Sequence, residues 1–299
     1  MIKAVILGAE TAVAGELFRI LVYHPDVEIT AAVSSGLEGQ PVSDRHAGLI
    51  GDTDLCFVSA PDYDKCNVVF VCGDPANMLM LPDTIADDMR VIDMTGAPHR
   101  GDDYVPGICE VYRKAMVRGA RKVYTVSPGD QAAAIALMPL AKLGMLEGEI
   151  EVIGLRDDSD VVTEAVKAEY PGFQGHIAGG IDDSADSDGM CAVSATVKVP
   201  TGADQLRRIY KESFADHNFV FVVDQSKSVT IDDLANTNKC LVRILPDGAI
   251  DNGVRVEVSM DHNIKGGAGN AVHCMNLLFG LHERTGLNLK AYANWGDKN

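Results

Sequence analysis

The run Ile2–Leu7 is apolar apart from Lys3, ends on Gly8, and leads into a helical pattern with Leu17, Ile20 and Leu21 on one face. A buried strand that turns through a glycine into a helix opens a βαβ unit. It confines the chain to folds in which helices cover a parallel sheet. The pattern then recurs. Glu28–Val33, Val68–Cys72, Val91–Met94 and Val123–Val126 are further short apolar runs, the signature of buried parallel strands. Right-handed crossovers wind such a series into a doubly wound sheet. The expected fold class is therefore α/β, with a Rossmann-type parallel sheet first.

The second half reads differently. Ile150–Leu155 is a strand, and Cys191–Val199 alternates, with Cys191, Val193, Ala195, Val197 and Val199 on one face. Thr201–Phe214 is helical with Leu206, Ile209 and Tyr210 inward, and Phe219–Val223 is apolar. Lys239–Leu245 and Arg255–Met260 flank the turn Pro246-Asp247-Gly248. This is an α+β domain with a mostly antiparallel sheet. A closing helix is predicted over Asn270–Thr285, stopped by Gly286. The 299 residues accommodate two domains. The expected limits are 1–128 with 273–299 for a dinucleotide-binding domain, and 129–272 for an α+β catalytic-type and dimerisation domain.

The net charge of −17 repels phosphate backbones, so no nucleic-acid partner is expected. No apolar run reaches the ~18 residues of a membrane helix, so no membrane association is expected. The start Met1-Ile2-Lys3 lacks a signal-peptide layout. None of the seven cysteines forms a CxxC pair, which points to reduced thiols in a cytoplasmic protein and to no metal site. Asp182, Asp183, Asp186 and Asp188 in the segment 182–188 do not follow the EF-hand pattern and read as a solvated acidic loop.

The glycine turn raises the cofactor question. A dinucleotide fingerprint has three glycines around the helix start. Here Gly8 stands first, Thr11 takes the second position and Ala14 the third. Ala14 suits close helix–strand packing. Thr11 adds a side chain where backbone would approach a pyrophosphate. The second strand ends in Ser34 and Ser35 rather than an acid. Two hydroxyls suit a 2′-phosphate, so the expected cofactor is NADP.

Several segments together resemble one family. They are Gly15-Glu16-Leu17-Phe18-Arg19 with His24-Pro25, Gly51-Asp52-Thr53-Asp54-Leu55, and Ser127-Pro128-Gly129 before a helix of small residues. The most specific are Asn236-Thr237-Asn238-Lys239-Cys240 and the stretch Lys265-Gly266-Gly267-Ala268-Gly269-Asn270-Ala271-Val272-His273, followed by Met275-Asn276-Leu277. Over roughly 1–150 and 190–292 the chain resembles the N-acetyl-γ-glutamyl-phosphate reductases of the semialdehyde dehydrogenase superfamily. The resemblance implies an NADPH-dependent reductive dephosphorylation in arginine biosynthesis, in which a cysteine thiolate forms a thioester and a histidine gives acid–base help. It also implies Asn270 at the cofactor, and a homodimer or homotetramer built through the second domain's sheet.

The same alignment exposes departures. The family's catalytic turn Asn-Pro-Gly-Cys reads Ser127-Pro128-Gly129-Asp130 here. Asp130 is then a helix cap, or a general acid–base group. The family's His-x-His-x-Pro-Glu motif is missing. His176, the one histidine in that interval, is either a displaced catalytic group or a surface residue. Cys109 replaces a proline of the family's Tyr-Gly-Leu-Pro-Glu and is a relocated thiol in a third reading. The expected function is a lapsed or repurposed reductase homologue, acting alone or with an active paralogue. The alternative is an NAD(P)-dependent oxidoreductase that reduces a carbonyl or imine without a thioester.

Overall fold

The computed structural model describes residues 1–97, 103–180, 189–199, 202–248 and 253–291. The acidic segment 182–188 lies outside the described residues. The chain divides into two compact units, Met1–Thr125 with Gly267–Asn288, and a second built on Val126–Gly266. These divisions fall three and six residues before the limits expected from the sequence.

The first unit starts β1 (Ile2–Leu7), α1 (Ala12–Leu21), β2 (Val27–Val33), α2 (Val42–Arg45), β3 (Phe57–Val58), β4 (Val68–Cys72) and β5 (Arg90–Met94). It continues with β6 (Tyr104–Pro106), α3 (Cys109–Val117) and β7 (Lys122–Tyr124). Its seven strands run in the order β3-β2-β1-β4-β5-β7-β6, and every pairing is parallel. β1 and β4 are neighbours although two strands separate them in the chain. Between them lies the switch point at which ligands settle in doubly wound sheets. All five residues of β4 are buried, which explains its unbroken apolar run: helices cover both faces of a parallel sheet.

The second unit contains α4 (Pro128–Lys142), β8 (Glu149–Ile153), α5 (Asp160–Glu169), β9 (His176–Gly180), β10 (Met190–Lys198) and α6 (Ala203–Ser213). It ends with β11 (Val220–Val222), α7 (Ile231–Leu234), β12 (Cys240–Asp247) and β13 (Gly253–Asp261). The sheet order is β11-β12-β13-β10-β8-β9. The three central pairings are antiparallel and the two edge pairings parallel. On β10 the alternating residues Cys191, Val193, Ala195 and Val197 are buried, as the period-two pattern requires. α4 packs against β10 and β13. It is buried along its length from Gln131 to Ala141, so it carries no polar stripe.

The chain then returns to the first unit with α8 (Gly269–Leu278). The helix expected to reach Thr285 stops at Leu278. Gly280 takes a left-handed conformation at φ +67°, and the Leu281 N–H turns back to the Asn276 carbonyl at 2.8 Å. A left-handed glycine just past the helix end is a common stop. Beyond it, Gly286 is also left-handed (φ +71°), and a Cβ there would lie 2.3 Å from the ring of His24. His24 is buried, with Nε2 3.1 Å from Asn276 Oδ1, so it keys the closing segment to the end of α1.

Candidate functional site

Two helix N-termini hold most of the residues singled out by the sequence. The first is α1. Gly8 sits at φ +67°, and a Cβ there would fall 2.2 Å from the Cys72 carbonyl oxygen and 2.4 Å from Asn77 Nδ2. Only glycine lets β1 turn so close to the end of β4. Thr11 is the N-cap of α1: its Oγ1 donates to the Gly8 carbonyl at 2.8 Å and accepts from Ala14 N–H at 3.4 Å. Ala14 is fully buried beneath the helix. The methyl of Thr11 leans toward Gly73, where a Cβ would meet it at 2.5 Å. Gly73, itself at φ +73°, is the compensation that sequence reading missed: the room lost at Thr11 reappears across the switch point. His46 is a second missed residue. Its Nε2–H donates to the Ala9 carbonyl at 2.7 Å and braces the turn from outside.

A dinucleotide's diphosphate would meet backbone N–H groups at this turn. With Ala14 N–H taken by the cap and Gly15 N–H bonded to the Thr11 carbonyl, the N–H groups of Ala12 and Val13 remain at an exposed helix end. Such an end accepts a diphosphate, so the turn fits the group, with the Thr11 methyl narrowing it. At the end of β2, Ser34 is buried and its N–H bonds the Val58 carbonyl, whereas Ser35 is exposed. Glu38 also stands here, its carboxylate held by Ser59 Oγ at 3.1 Å. Asn270, in the first turn of α8, is buried. Its Nδ2 donates to the Gly107 carbonyl at 2.6 Å and its Oδ1 faces Cys109 Sγ at 3.7 Å.

The second N-terminus is α4. Ser127 caps it by accepting Asp130 N–H at 3.0 Å, and the same hydroxyl donates to Asp130 Oδ2 at 2.7 Å. The other carboxylate oxygen, Oδ1, accepts from Ser159 Oγ at 2.5 Å. Ser159 is in turn the N-cap of α5 and takes Val162 N–H at 3.1 Å. Asp130 therefore stitches together the starts of two helices, each of which favours negative charge there. Nearby, Gly266 packs so tightly on Pro128 that a Cβ would approach it to 2.7 Å. Asp261, at the end of β13, gathers the signature segments. It accepts the Asn236 N–H at 2.7 Å and the N–H groups of Asn263 and Ile264 at 2.8 Å. Asn236 is left-handed at φ +60°. Asn238 is buried, and its side-chain amide has no hydrogen-bond partner among the described residues.

His176 is exposed at the start of β9, where its ring meets Glu149 at 3.4 Å, directly opposite in the strand register. Cys109 does have a histidine neighbour, His273, which the sequence concealed because 164 positions separate them. The thiol is nevertheless only 1% exposed.

Comparison with known proteins now gives this geometry its context. Residues 3–118 match the semialdehyde dehydrogenase NAD-binding domain family. The N-acetyl-gamma-glutamyl-phosphate reductase of Parabacteroides distasonis is 32% identical over 98% of this chain and 100% of its own length. The chain belongs to the N-acetyl-γ-glutamyl-phosphate reductase family. The Bacteroides thetaiotaomicron protein of the same name is 30% identical, with 98% of this chain and 100% of that protein covered. Among solved structures, aspartate semialdehyde dehydrogenase II of Vibrio cholerae, in complex with ASA, superposes with a TM-score of 0.68. It has 14% identity, and 94% of this chain and 98% of that one are covered. The aspartate semialdehyde dehydrogenase of Candida albicans, solved with NADP, gives 0.65 at 14% identity, over 93% and 98%. At that identity the likeness shows the shared fold. The Gly8 turn lies within the residues that match the semialdehyde dehydrogenase NAD-binding domain family. Among the described residues, no helix is long and apolar enough to cross a membrane.

Proposed function

We propose that this reductase-family member binds a nicotinamide dinucleotide, NADP in preference, and has lost the reduction of N-acetyl-γ-glutamyl phosphate. One observation carries the reading. At the turn that resembles the family's nucleophile position stands Asp130, with both carboxylate oxygens held by the hydroxyls of Ser127 and Ser159. A thioester needs a soft thiolate with a free sulfur lone pair. Asp130 offers neither, and its charge at the helix end repels an anionic acyl phosphate. The same two hydroxyl contacts occupy both carboxylate oxygens, which turns them away from a carbonyl or imine awaiting a proton. Cys109 does not replace the nucleophile, because an acyl phosphate needs a reachable sulfur and this one is enclosed.

Binding is supported by the α1 cradle, and NADP by exposed Ser35 beside the end of β2. Self-association belongs to the same reading. One face of the second sheet carries Ile153, Ser194, Glu257 and Arg243 across adjacent strands, with Ala192, Ser259 and Leu241 beside them. Ser194 Oγ is buried there without a hydrogen-bond partner among the described residues. A homodimer or tetramer through that face, or pairing there with an active paralogue, covers it. Seven cysteines outside any disulfide suit a reducing, cytoplasmic setting.

The test pairs NADPH titration with an assay of NADPH-dependent reduction of N-acetyl-γ-glutamyl phosphate. Saturable NADPH binding is expected, with turnover more than about a thousandfold below a cysteine-bearing relative. Turnover comparable to such a relative overturns the loss of activity. Absent NADPH binding overturns the binding role.

A further inference from the structure

The first unit also holds a cluster that neither helix end uses. Cys109 opens α3 and Cys274 lies within α8, and their sulfurs are 3.4 Å apart. Both residues are buried, at 1% and 0% exposure. His273, adjacent to Cys274 in the chain, places Nε2 2.7 Å from Glu283 Oε2. The other oxygen of Glu283 pairs with Arg113 at 2.6 Å. Burial and the neighbouring Cys274 push the Cys109 thiol well above its ordinary value, while the His273 imidazole pulls it back down. Cys109 therefore rests as a thiol with an imidazole beside it.

We propose that Cys109 and Cys274 form a reversible oxidation site, at which a hydroperoxide converts the two thiols into a disulfide linking α3 to α8. Sulfur–sulfur contact at 3.4 Å needs a closure of about 1.4 Å to reach a bond length, within the reach of side-chain rotation. His273 is the positioned base. The Cys109 sulfur attacks a peroxide oxygen, the O–O bond breaks, and His273 carries the thiol proton to the departing oxygen. Hydrogen peroxide leaves one water and a sulfenic acid on Cys109. The Cys274 sulfur then displaces that hydroxyl as a second water, its own proton leaving with the hydroxyl. In total, two thiols and one hydrogen peroxide become one disulfide and two waters. A dithiol reductant reverses the change by exchange. Glu283, fixed by Arg113, orients the imidazole. The exposed thiol Cys56 lacks such a neighbourhood: its sulfur faces the Asp54 carbonyl at 3.9 Å.

The experiment treats the full-length protein with hydrogen peroxide, blocks remaining thiols after unfolding, and maps the peptides. The expected product is one cross-linked peptide pair through Cys109 and Cys274, returned to free thiols by dithiothreitol. It is absent in Cys109→Ser and in Cys274→Ser. His273→Gln slows its formation by about tenfold or more while oxidation of Cys56 keeps its rate. Recovery of Cys109 and Cys274 as free thiols after Cys56 has oxidised overturns the site, as does over-oxidation of Cys109 without a cross-link. An unchanged rate in His273→Gln overturns the role of the imidazole. The wild-type mapping stands independently of how well any variant folds, and of whether the protein reduces an acyl phosphate.

Discussion

The N-termini of α1 and α4 begin alike. Each follows a strand of the first sheet, is capped by a hydroxyl residue, Thr11 or Ser127, and opens a helix buried along much of its length. They differ in what meets the helix dipole. At α1 the N–H groups of Ala12 and Val13 stay at the surface. At α4 the chain supplies its own anion, Asp130, and fixes it to Ser159 of the next helix. A helix end can bind an external anion or be closed by an internal one. Here α1 leaves the first option open and α4 takes the second.

The harshest way to break the comparison is Gly8→Ala. A left-handed φ and a Cβ 2.2 Å from the Cys72 carbonyl oxygen leave the new methyl nowhere to go. A loss of about 3 kcal/mol in urea unfolding is expected, together with loss of NADPH binding. Unaltered NADPH titration in a folded variant would show that the α1 turn is not the cofactor cradle.

Asp130→Ala comes next. Two hydroxyl contacts vanish and two caps lose their link, so about 2 kcal/mol of stability should go. The variant also sharpens the contrast, because it empties the α4 N-terminus. Inorganic phosphate should then raise the melting temperature of the variant by more than that of the wild type, since the α1 end is open in both. If phosphate stabilises both equally, Asp130 does not close that helix end.

What could be read in the sequence follows the range of the interactions. Strands β1, β4 and β10 were legible because burial on one or both faces imposes a period within a few residues. Asp130 was expected to cap α4 itself, but Ser127, three positions earlier, is the N-cap, and Asp130 sits in the first turn with its N–H donating to that hydroxyl. Ser159 was not legible, since its hydroxyl arrives from another helix. Gly73 was hidden because its need for a bare Cα comes from Thr11, sixty-two positions earlier. The end of α8 was misjudged because Leu281 continues the apolar spacing beyond Gly280, and only the left-handed φ of Gly280 shows that the backbone has turned. His273 beside Cys109 was invisible for want of any local pattern.

Thr11→Gly probes the α1 side alone. It removes the methyl facing Gly73 and leaves Ala12 and Val13 in place. NADPH affinity should rise about tenfold, or 1.4 kcal/mol by the usual conversion. Stability should fall by only about half a kcal/mol, since glycine is a tolerable N-cap. Calorimetric titration of both forms reads the first quantity. An unchanged dissociation constant would mean that the methyl stands outside the pyrophosphate path. Glu38→Gln, tested beside it, should favour NADPH over NADH, because a carboxylate near the end of β2 repels a 2′-phosphate.

The smallest effect concerns protons, and it separates the far end of α1 from both N-termini. Burial pushes the His24 imidazole below its ordinary 6.5, against the opposing pull of its bond to Asn276. The unfolded chain therefore takes up a proton as pH falls through 6.5, and the folded chain does not. This contribution is complete above 6.5 and shrinks as the solution is acidified toward the lower folded value. Glu283 behaves with the same sign further down. Burial pushes it up, but His273 and Arg113 together hold it below 4.5, so its contribution is lost only as pH falls beneath that value. Urea midpoints measured from above pH 6.5 down to just above 4.5 should thus decline gently, with His24 contributing to the slope. His24→Asn, which keeps a polar group for Asn276, should flatten that slope while lowering stability at neutral pH. A slope that survives the substitution would place the titrating group elsewhere. It would also detach the closing segment after α8 from the end of α1, where Gly286 leaves room for the His24 ring.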